Sequence, residues 1–272
     1  MKTRIIVAAI AIPLLLLLIF FAPLWAFSIA VGLISMGAAF EFLRCVVPNA
    51  PRRFSAYASL TALCLPIACS FYEGNAVINT AIFLLCTVMF TELMLSFKNG
   101  EPMTLEAVFQ VIFAGAIMPM LLASLVRVGM RENSSLYLVL PFIAAFASDS
   151  GAYFAGSFLG KHKLFPHLSP NKTLEGCIGG VVGAIFVMLV YGLILMLAGF
   201  DVNYLVLALY GILGSLACQI GDLAFSAVKR LYNIKDYGKI IPGHGGMLDR
   251  FDSMHFTAPM IELLVLLLPA IK

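Results

Sequence analysis

The most regular feature of this chain is the alternation of long apolar runs with short polar segments. An apolar run of roughly 17–25 residues is long enough for a helix to cross a lipid bilayer. Such runs predict about nine transmembrane helices, at residues 5–22, 24–42, 55–72, 77–96, 104–126, 136–158, 177–199, 203–228 and 255–271. The pattern therefore predicts an all-α, polytopic integral membrane protein.

The composition supports this class and argues against several others. Hydrophobic residues make up 62% of the chain and charged residues 11%, whereas soluble globular proteins hold about 45–50% and about 25%. A net charge of +3 without a dense basic patch argues against a nucleic acid partner. The six cysteines form no CxxC pair and lie mostly in apolar runs. This pattern indicates that they act as small hydrophobic residues and not as disulfide partners or metal ligands.

The positive charges predict an orientation in the membrane. With the N-terminus in the cytoplasm, only Arg127, Arg131 and Lys272 of the seventeen Lys and Arg fall on the opposite side. Cytoplasmic segments of membrane proteins carry such an excess of Lys and Arg. The bias predicts a cytoplasmic N-terminus and an odd number of spans, with eight spans as the alternative. It also places two polar loops, residues 160–175 and 229–253, in the cytoplasm.

Small residues recur every four positions on the helices beside the first of these loops. Ala152, Gly156 and Gly160 form one such row, and Gly176 and Gly180 another. Rows of this kind let helix backbones approach closely in lipid. We interpret them as packing surfaces.

The longest polar interruption, residues 226–252, follows an apolar run that ends with a polar stripe. Gln219, Asp222, Ser226 and Lys229 are spaced three, four and three apart, so they share one helix face. A carboxylate near the end of an apolar span is costly unless it is paired or binds a cation. Asp222 is therefore expected either to pair with Lys229 or Arg230 or to serve as a ligand.

The polar stretch itself contains a second group of carboxylates, Asp249 and Asp252, after a glycine-rich turn at residues 243–246. Two carboxylates among several cations suit a nucleotide site, because Mg²⁺ takes one or two carboxylates and completes its shell with phosphate and water. Glycines let backbone N–H groups approach phosphate closely. For His244, phosphate binding, acid–base catalysis and a hydrogen bond that holds the turn stay open.

The other loop contains Lys161, His162 and Lys163, which are either topology signals or ligands, and then the segment SPNKT. Ser169 or Thr173 is expected to cap the following helix. A helix N-terminus beside Lys172 favours an anion. Capping alone is the alternative interpretation.

Several further acids lie in apparent spans. Asp149 is near the cytoplasmic part of its span, and Glu92 and Glu262 are expected to be protonated or paired, with no readable function.

The stretch 226–252 resembles the signature of phosphatidate cytidylyltransferases (CDP-diacylglycerol synthases). That signature reads S-x-hydrophobic-K-R, then K-D after four residues, then H-G-G-x-x-D-R-x-D. Its fixed positions are here Ser226, Lys229, Arg230, Lys235, Asp236, His244, Gly245, Gly246, Asp249, Arg250 and Asp252. The QIGDL, GKHKL and SPNKT segments are similar to the same family, so the resemblance covers roughly residues 140–255.

The resemblance implies transfer of CMP from CTP to phosphatidate at the membrane, with Mg²⁺ or Mn²⁺ and a monovalent cation such as K⁺ as further expected ions. It implies an enzyme of the cell inner (plasma) membrane whose active site faces the cytoplasm. Whether the enzyme forms a homodimer stays open. Residues 1–135 would be a lipid-facing scaffold and residues 136–272 the catalytic region.

The resemblance also assigns roles to individual residues. Asp222, Asp249, Lys229 and Arg250 would be catalytic. The substrates would be bound by Ser169, Asn171, Lys172, Thr173, Ser226, Arg230, His244, Gly245 and Gly246. The metal ligands would be Asp222 and Asp249, with Asp149 and Asp252 as additional candidates.

Two other classes fit the sequence less well. A secondary transporter would place its binding groups near the bilayer midplane, whereas these cluster at one face. A CDP-alcohol phosphotransferase would need an acidic motif of the DGxxAR kind, which this sequence lacks.

Overall fold

The computed structural model of the protein describes residues 13–71, 74–98, 100, 102–240 and 245–271. A helical stretch at 13–20 is followed by the helices α1 (Leu24–Val46), α2 (Arg52–Cys69), α3 (Gly74–Lys98), α4 (Leu105–Val128), α5 (Ser134–Leu159), α6 (Leu174–Leu197), α7 (Tyr204–Leu231), α8 (Leu248–Phe251) and α9 (Met254–Leu267). The predicted all-α membrane class is confirmed. The first predicted span lies partly outside the described residues.

Six helices of the described chain are long and apolar enough to cross a membrane: α1, α3, α4, α5, α6 and α7. The helices α2 and α9 occupy predicted spans but are shorter, with 18 and 14 residues. The count of nine spans and the cytoplasmic N-terminus stay predictions.

The described residues form two compact units. One contains the chain up to Met130 together with Ile234–Phe251, and the other contains Arg131–Asn233 together with the chain from Asp252 onward. The polar stretch 226–252 thus contributes residues to both units. The functional division at residue 135 into scaffold and catalytic region stays a prediction.

The first unit is built around α1, α2 and α4. A five-residue π-helical turn, Phe113–Ile117, interrupts α4. A Cβ on Gly115 within that turn would lie 2.8 Å from the Cα of Ala58 on α2, so only glycine allows this approach. The ring of Phe113 lies 5.4 Å from that of Phe42 on α1. The turn therefore belongs to the packed core.

The second unit contains α5, α6, α7 and α9. A Cβ on Gly176 of α6 would lie 3.0 Å from the carbonyl oxygen of Ala152, and one on Gly151 would meet the carbonyl oxygen of Gly179. The backbones of α5 and α6 are thus in close contact, which confirms the packing role predicted for the small residues.

A short antiparallel ribbon, which the sequence did not predict, joins α5 to α6. Its strands are β1 (Lys163–Phe165) and β2 (Ser169–Thr173), with Lys163 opposite Thr173. The side-chain oxygen of Thr173 accepts a hydrogen bond of 3.1 Å from the amide of Gly176. Thr173 is therefore the N-cap of α6, and Ser169 lies in β2.

We expect Thr173→Ala to lower the free energy of unfolding by about 0.5–2 kcal/mol, because it removes the acceptor for a helix N-terminal amide. Thermal unfolding in detergent measures the loss. Thr173→Ser, which retains the hydroxyl, is the control and should stay closer to wild type. Equal melting temperatures for Thr173→Ala and wild type would contradict the capping role.

Candidate active site

The central contact of the second unit is an ion pair between Lys172 and Asp222. Lys172 Nζ lies 2.5 Å from Asp222 Oδ2, and the two side chains are 23% and 34% exposed. Lys172 belongs to β2 and Asp222 to the C-terminal part of α7, so the pair joins the two segments SPNKT and QIGDL. The structure thus gives Asp222 a partner other than the Lys229 and Arg230 considered from the sequence.

Lys229 lies in the last turn of α7 and contacts Asp252. Its Nζ is 3.8 Å from Asp252 Oδ2, and both side chains are nearly nine-tenths buried. Asp252 Oδ1 also accepts a 2.7 Å hydrogen bond from the amide of Ser253. The charge of Lys229 is therefore held by a carboxylate of the signature itself.

The last cation of α7 contacts the ribbon. Arg230 Nε donates a 3.2 Å hydrogen bond to the carbonyl oxygen of Leu168, just before β2. Asn171 in β2 is exposed, and Ser226 on α7 is half-buried. Lys172, Lys229 and Arg230 thus all lie around the C-terminal part of α7 and the ribbon.

Glu175, in the first turn of α6, binds the two residues that precede β1 of the ribbon. Its carboxylate accepts hydrogen bonds from the amide of Lys161 at 3.1 Å and from the amide of His162 at 3.3 Å. His162 Nδ1 lies 2.6 Å from Glu175 Oε1. Lys161 and His162 are consequently held by a structural contact that the sequence did not reveal.

Two polar residues near Asp222 contact their neighbours in the helix bundle. Gln219 Nε2 donates to the carbonyl oxygen of Cys177 at 3.1 Å and to Ser215 Oγ at 3.2 Å, which joins α7 to α6. Asp149 is exposed at its position on α5, and Cys218 Sγ lies 3.7 Å from its Oδ1. A thiol–carboxylate contact of this length is weak.

In the first unit, Asp249 organises the loop that precedes it. Its Oδ2 accepts hydrogen bonds from the amide of Tyr237 at 2.9 Å and from the amide of Gly246 at 3.0 Å. Gly245 has a φ of 88°, a left-handed conformation that glycine adopts without strain. His244 lies outside the described residues, and Arg250 is exposed in α8.

Glu41 on α1 is a contact residue of this loop that sequence reasoning missed. Its side chain is buried, with the residue 2% exposed, and its Oε2 accepts a 2.9 Å hydrogen bond from the amide of Leu248. The signal was present in the sequence, because an acid within an apolar span is costly and usually has a specific partner.

The donor chemistry of these carboxylates suits a hard divalent cation. Among the described residues, no group of three or more His, Cys, Asp or Glu could hold a metal ion by itself. Mg²⁺ does not need such a group, because it binds through one or two carboxylates and takes its other ligands from phosphate and water. Asp222 and Asp249 are both only half-buried, as a ligand that meets a soluble metal–nucleotide should be.

The helices and polar loops together define an all-α, polytopic membrane protein with cations and carboxylates at the end of a long apolar helix. The sequence model of the cytidylyltransferase family matches residues 2–268, so the chain belongs to that family. The resemblance noted in the signature is thereby confirmed, and the protein is a nucleotidyltransferase.

Individual relatives carry a more specific name. The chain is 33% identical over 271 residues to a phosphatidate cytidylyltransferase of Bacillus subtilis (strain 168), which covers 98% of each chain. It is 43% identical over 136 residues to the phosphatidate cytidylyltransferases of Staphylococcus haemolyticus and Staphylococcus aureus (strain COL), about half of each chain.

Proposed function

We propose that this protein transfers the CMP moiety of CTP to phosphatidate and releases pyrophosphate, forming CDP-diacylglycerol for phospholipid biosynthesis. The observation that carries the proposal is the Lys172–Asp222 ion pair, which joins the segments SPNKT and QIGDL in a chain that matches the family over nearly its whole length. This contact supports the proposal because Lys172, which we assign to phosphate binding, lies beside Asp222, which we assign to metal binding.

The reaction is a substitution at phosphorus. A phosphate oxygen of phosphatidate attacks the α-phosphorus of CTP, a new P–O bond forms, and the bond to the pyrophosphate oxygen breaks in line. Such a transfer depends mainly on positioning the two phosphates and neutralising their charge. It requires no covalent enzyme intermediate.

The cations of the chain supply that neutralisation. Lys172, Lys229, Arg230 and Arg250 bind phosphate oxygens, as the family signature implies. Ser169, Asn171, Thr173, Ser226, His244, Gly245 and Gly246 complete the substrate contacts. In the free protein, Lys172 and Asp222 neutralise each other's partly buried charge. When the substrates bind, their phosphates replace Asp222 as the negatively charged partner of Lys172.

Asp222 and Asp249 are the proposed holders of Mg²⁺ or Mn²⁺, with Asp149 and Asp252 as additional candidates and K⁺ as a possible second ion. A bound divalent cation would neutralise phosphate charge and orient the leaving group. The protein's own task is to present carboxylate oxygens at the end of apolar helices, where a water-soluble nucleotide can reach them.

The membrane location follows from the substrates. Exposed apolar side chains along α6, such as Phe186 and Ile194, suit a lipid environment for the acyl chains. The relatives named above are bacterial, so we place the protein in the plasma membrane, with the site on the cytoplasmic side where CTP is available. A homodimer stays open.

The activity test uses the purified chain in detergent with Mg²⁺, phosphatidate and CTP labelled at either the α- or the γ-phosphorus. The α label should enter the lipid and the γ label should leave in pyrophosphate. Diacylglycerol in place of phosphatidate is the matched control and should yield no product. Transfer of the γ label to lipid would instead identify a lipid kinase.

The orientation is tested by cysteines placed at Lys163 and Lys239, both exposed, in a background without other cysteines. Neither should react with a membrane-impermeant thiol reagent in intact cells, because the excess of positive charge predicts a cytoplasmic location. A cysteine at Arg131 is the control and should react from outside. Labelling of Lys163→Cys or Lys239→Cys in intact cells would reject the orientation.

A further inference from the structure

Glu41 lies on α1, outside the segments that resemble the family signature. Its carboxylate is buried within an apolar helix, where an acid is costly. Oε2 accepts the amide hydrogen of Leu248, while Oε1 has no hydrogen-bond partner among the described residues. A carboxylate buried at such cost against the backbone amides of one loop requires an explanation in terms of what it holds.

The loop side of the contact is shaped to admit this carboxylate. A Cβ added to Gly238 would meet Glu41 Oε1, and one added to Gly246 would meet Oε2. Both positions therefore need glycine for a packing reason. The contact with Glu41 therefore explains why glycine occupies position 246, the second glycine of the H-G-G segment.

The same loop is held from its other side by Asp249. Asp249 Oδ2 accepts from the amides of Tyr237 and Gly246, and Asp249 follows Leu248, whose amide binds Glu41. Displacement of Leu248 would therefore displace Asp249 directly.

Two neighbours of Glu41 on α1 contact the loop as well. Cys45 Sγ lies 3.2 Å from the carbonyl oxygen of Tyr237, and the ring of Phe42 lies 6.1 Å from the ring of Tyr237. One face of α1, formed by Glu41, Phe42 and Cys45, thus contacts the described loop residues on both sides of 241–244, at 237–238 and 246–248.

We propose that Glu41 is a positioning residue of the transferase. Its hydrogen bond to Leu248 fixes the loop that presents Asp249 and Arg250, so it controls the rate without contacting substrate. The inference rests on the proposed function for the role of that loop, while the anchoring itself does not.

The test compares Glu41→Ala with Glu41→Gln. Loss of the acceptor should lower kcat about 10²-fold, because a misplacement of about 1 Å costs on this order, and KM for CTP should change less than about threefold. Glu41→Gln retains an acceptor oxygen and the side-chain shape, so it should recover most of kcat. Glu92→Ala is the matched control, an acid of another span whose Oε2 accepts from Arg53 at 2.8 Å, and should leave kcat unchanged.

A second readout needs no substrate. With Cys45 as the sole cysteine, its reaction with a maleimide should be about tenfold faster in Glu41→Ala than in the parent, and unchanged in Glu92→Ala. If Glu41→Ala fails to fold, Gly238→Ala tests the contact from the loop side and should show the same two effects. Wild-type kcat in either variant, or a low kcat with unchanged Cys45 labelling, overturns the proposal. If the parent enzyme is inactive, only the proposed function is rejected, because the labelling comparison still tests the contact between Glu41 and the loop.

Discussion

Asp222→Asn should lower kcat/KM at least about 10³-fold, on the order of 4 kcal/mol of transition-state stabilisation. The substitution preserves the shape of the side chain but removes the negative charge proposed to hold the divalent cation. It also removes the charge that faces Lys172 at 2.5 Å. Initial rates with labelled CTP across a range of Mg²⁺ concentrations measure the effect, and excess Mg²⁺ should restore little of the activity.

Asp201→Asn is the matched control for this variant. Asp201 is an exposed acid that precedes α7, whereas Asp222 lies about 27 Å along that helix from Tyr204. The control should retain wild-type kcat/KM. If Asp222→Asn mainly lowered the melting temperature and left kcat/KM near wild type, Asp222 would be a structural ion-pair partner and not a ligand.

Asp249→Asn is expected to cause a loss of the same size, about 10³-fold. The sequence-based prediction that both carboxylates act on one cation is tested by the double variant. Its kcat/KM should be hardly lower than that of either single variant, because residues that act as a unit are strongly non-additive. Losses that add on a logarithmic scale would indicate independent roles.

Lys172→Ala should lower kcat/KM for CTP about 10²-fold while the melting temperature stays near wild type. A hydrogen bond from a charged group is worth about 1.5–3 kcal/mol, and we assign that interaction to the triphosphate. The ion pair with Asp222 is partly exposed, and such pairs contribute only about 0–1 kcal/mol to stability. Steady-state kinetics and thermal unfolding of the same preparation separate the two effects.

Lys163→Ala provides the comparison, because Lys163 lies in the other strand of the same ribbon and is exposed. It removes an equal charge near the same surface and should change kcat/KM less than about threefold. Equal losses in the two variants would show that the ribbon acts through its overall charge, and unchanged kinetics in Lys172→Ala would remove this residue from the site.

The helices could be predicted from the sequence because membrane helices satisfy their own backbone hydrogen bonds, so length and apolarity suffice to locate them. The ribbon 163–173 could not, since it contains only eight stranded residues and depends on contacts such as that of Glu175 with His162. The cap at Thr173 was one of two candidates, and only the backbone geometry distinguished it from Ser169.

The sequence predicted the residues of the candidate site but not the contacts that they make. Its residues were found because the signature and the segments SPNKT and QIGDL resemble one family, but their partners lie far away in sequence. The ion pair of Asp222 with Lys172 joins α7 to β2, and the hydrogen bond of Leu248 with Glu41 joins α8 to α1. Helix spacing reveals only neighbours within a helix, which is why Lys229 and Arg230 were the partners considered.

The hydrogen bond between Glu41 and Leu248 also has a consequence for biogenesis, because it joins residues 207 positions apart. At translation rates of about 5–20 residues per second, Leu248 emerges roughly 10–40 s after Glu41. During that interval Glu41 lacks the amide that it will bind, although an unpaired acid in an apolar helix is costly. The helix α1 therefore acquires this contact only near the end of synthesis, after Leu248 has emerged.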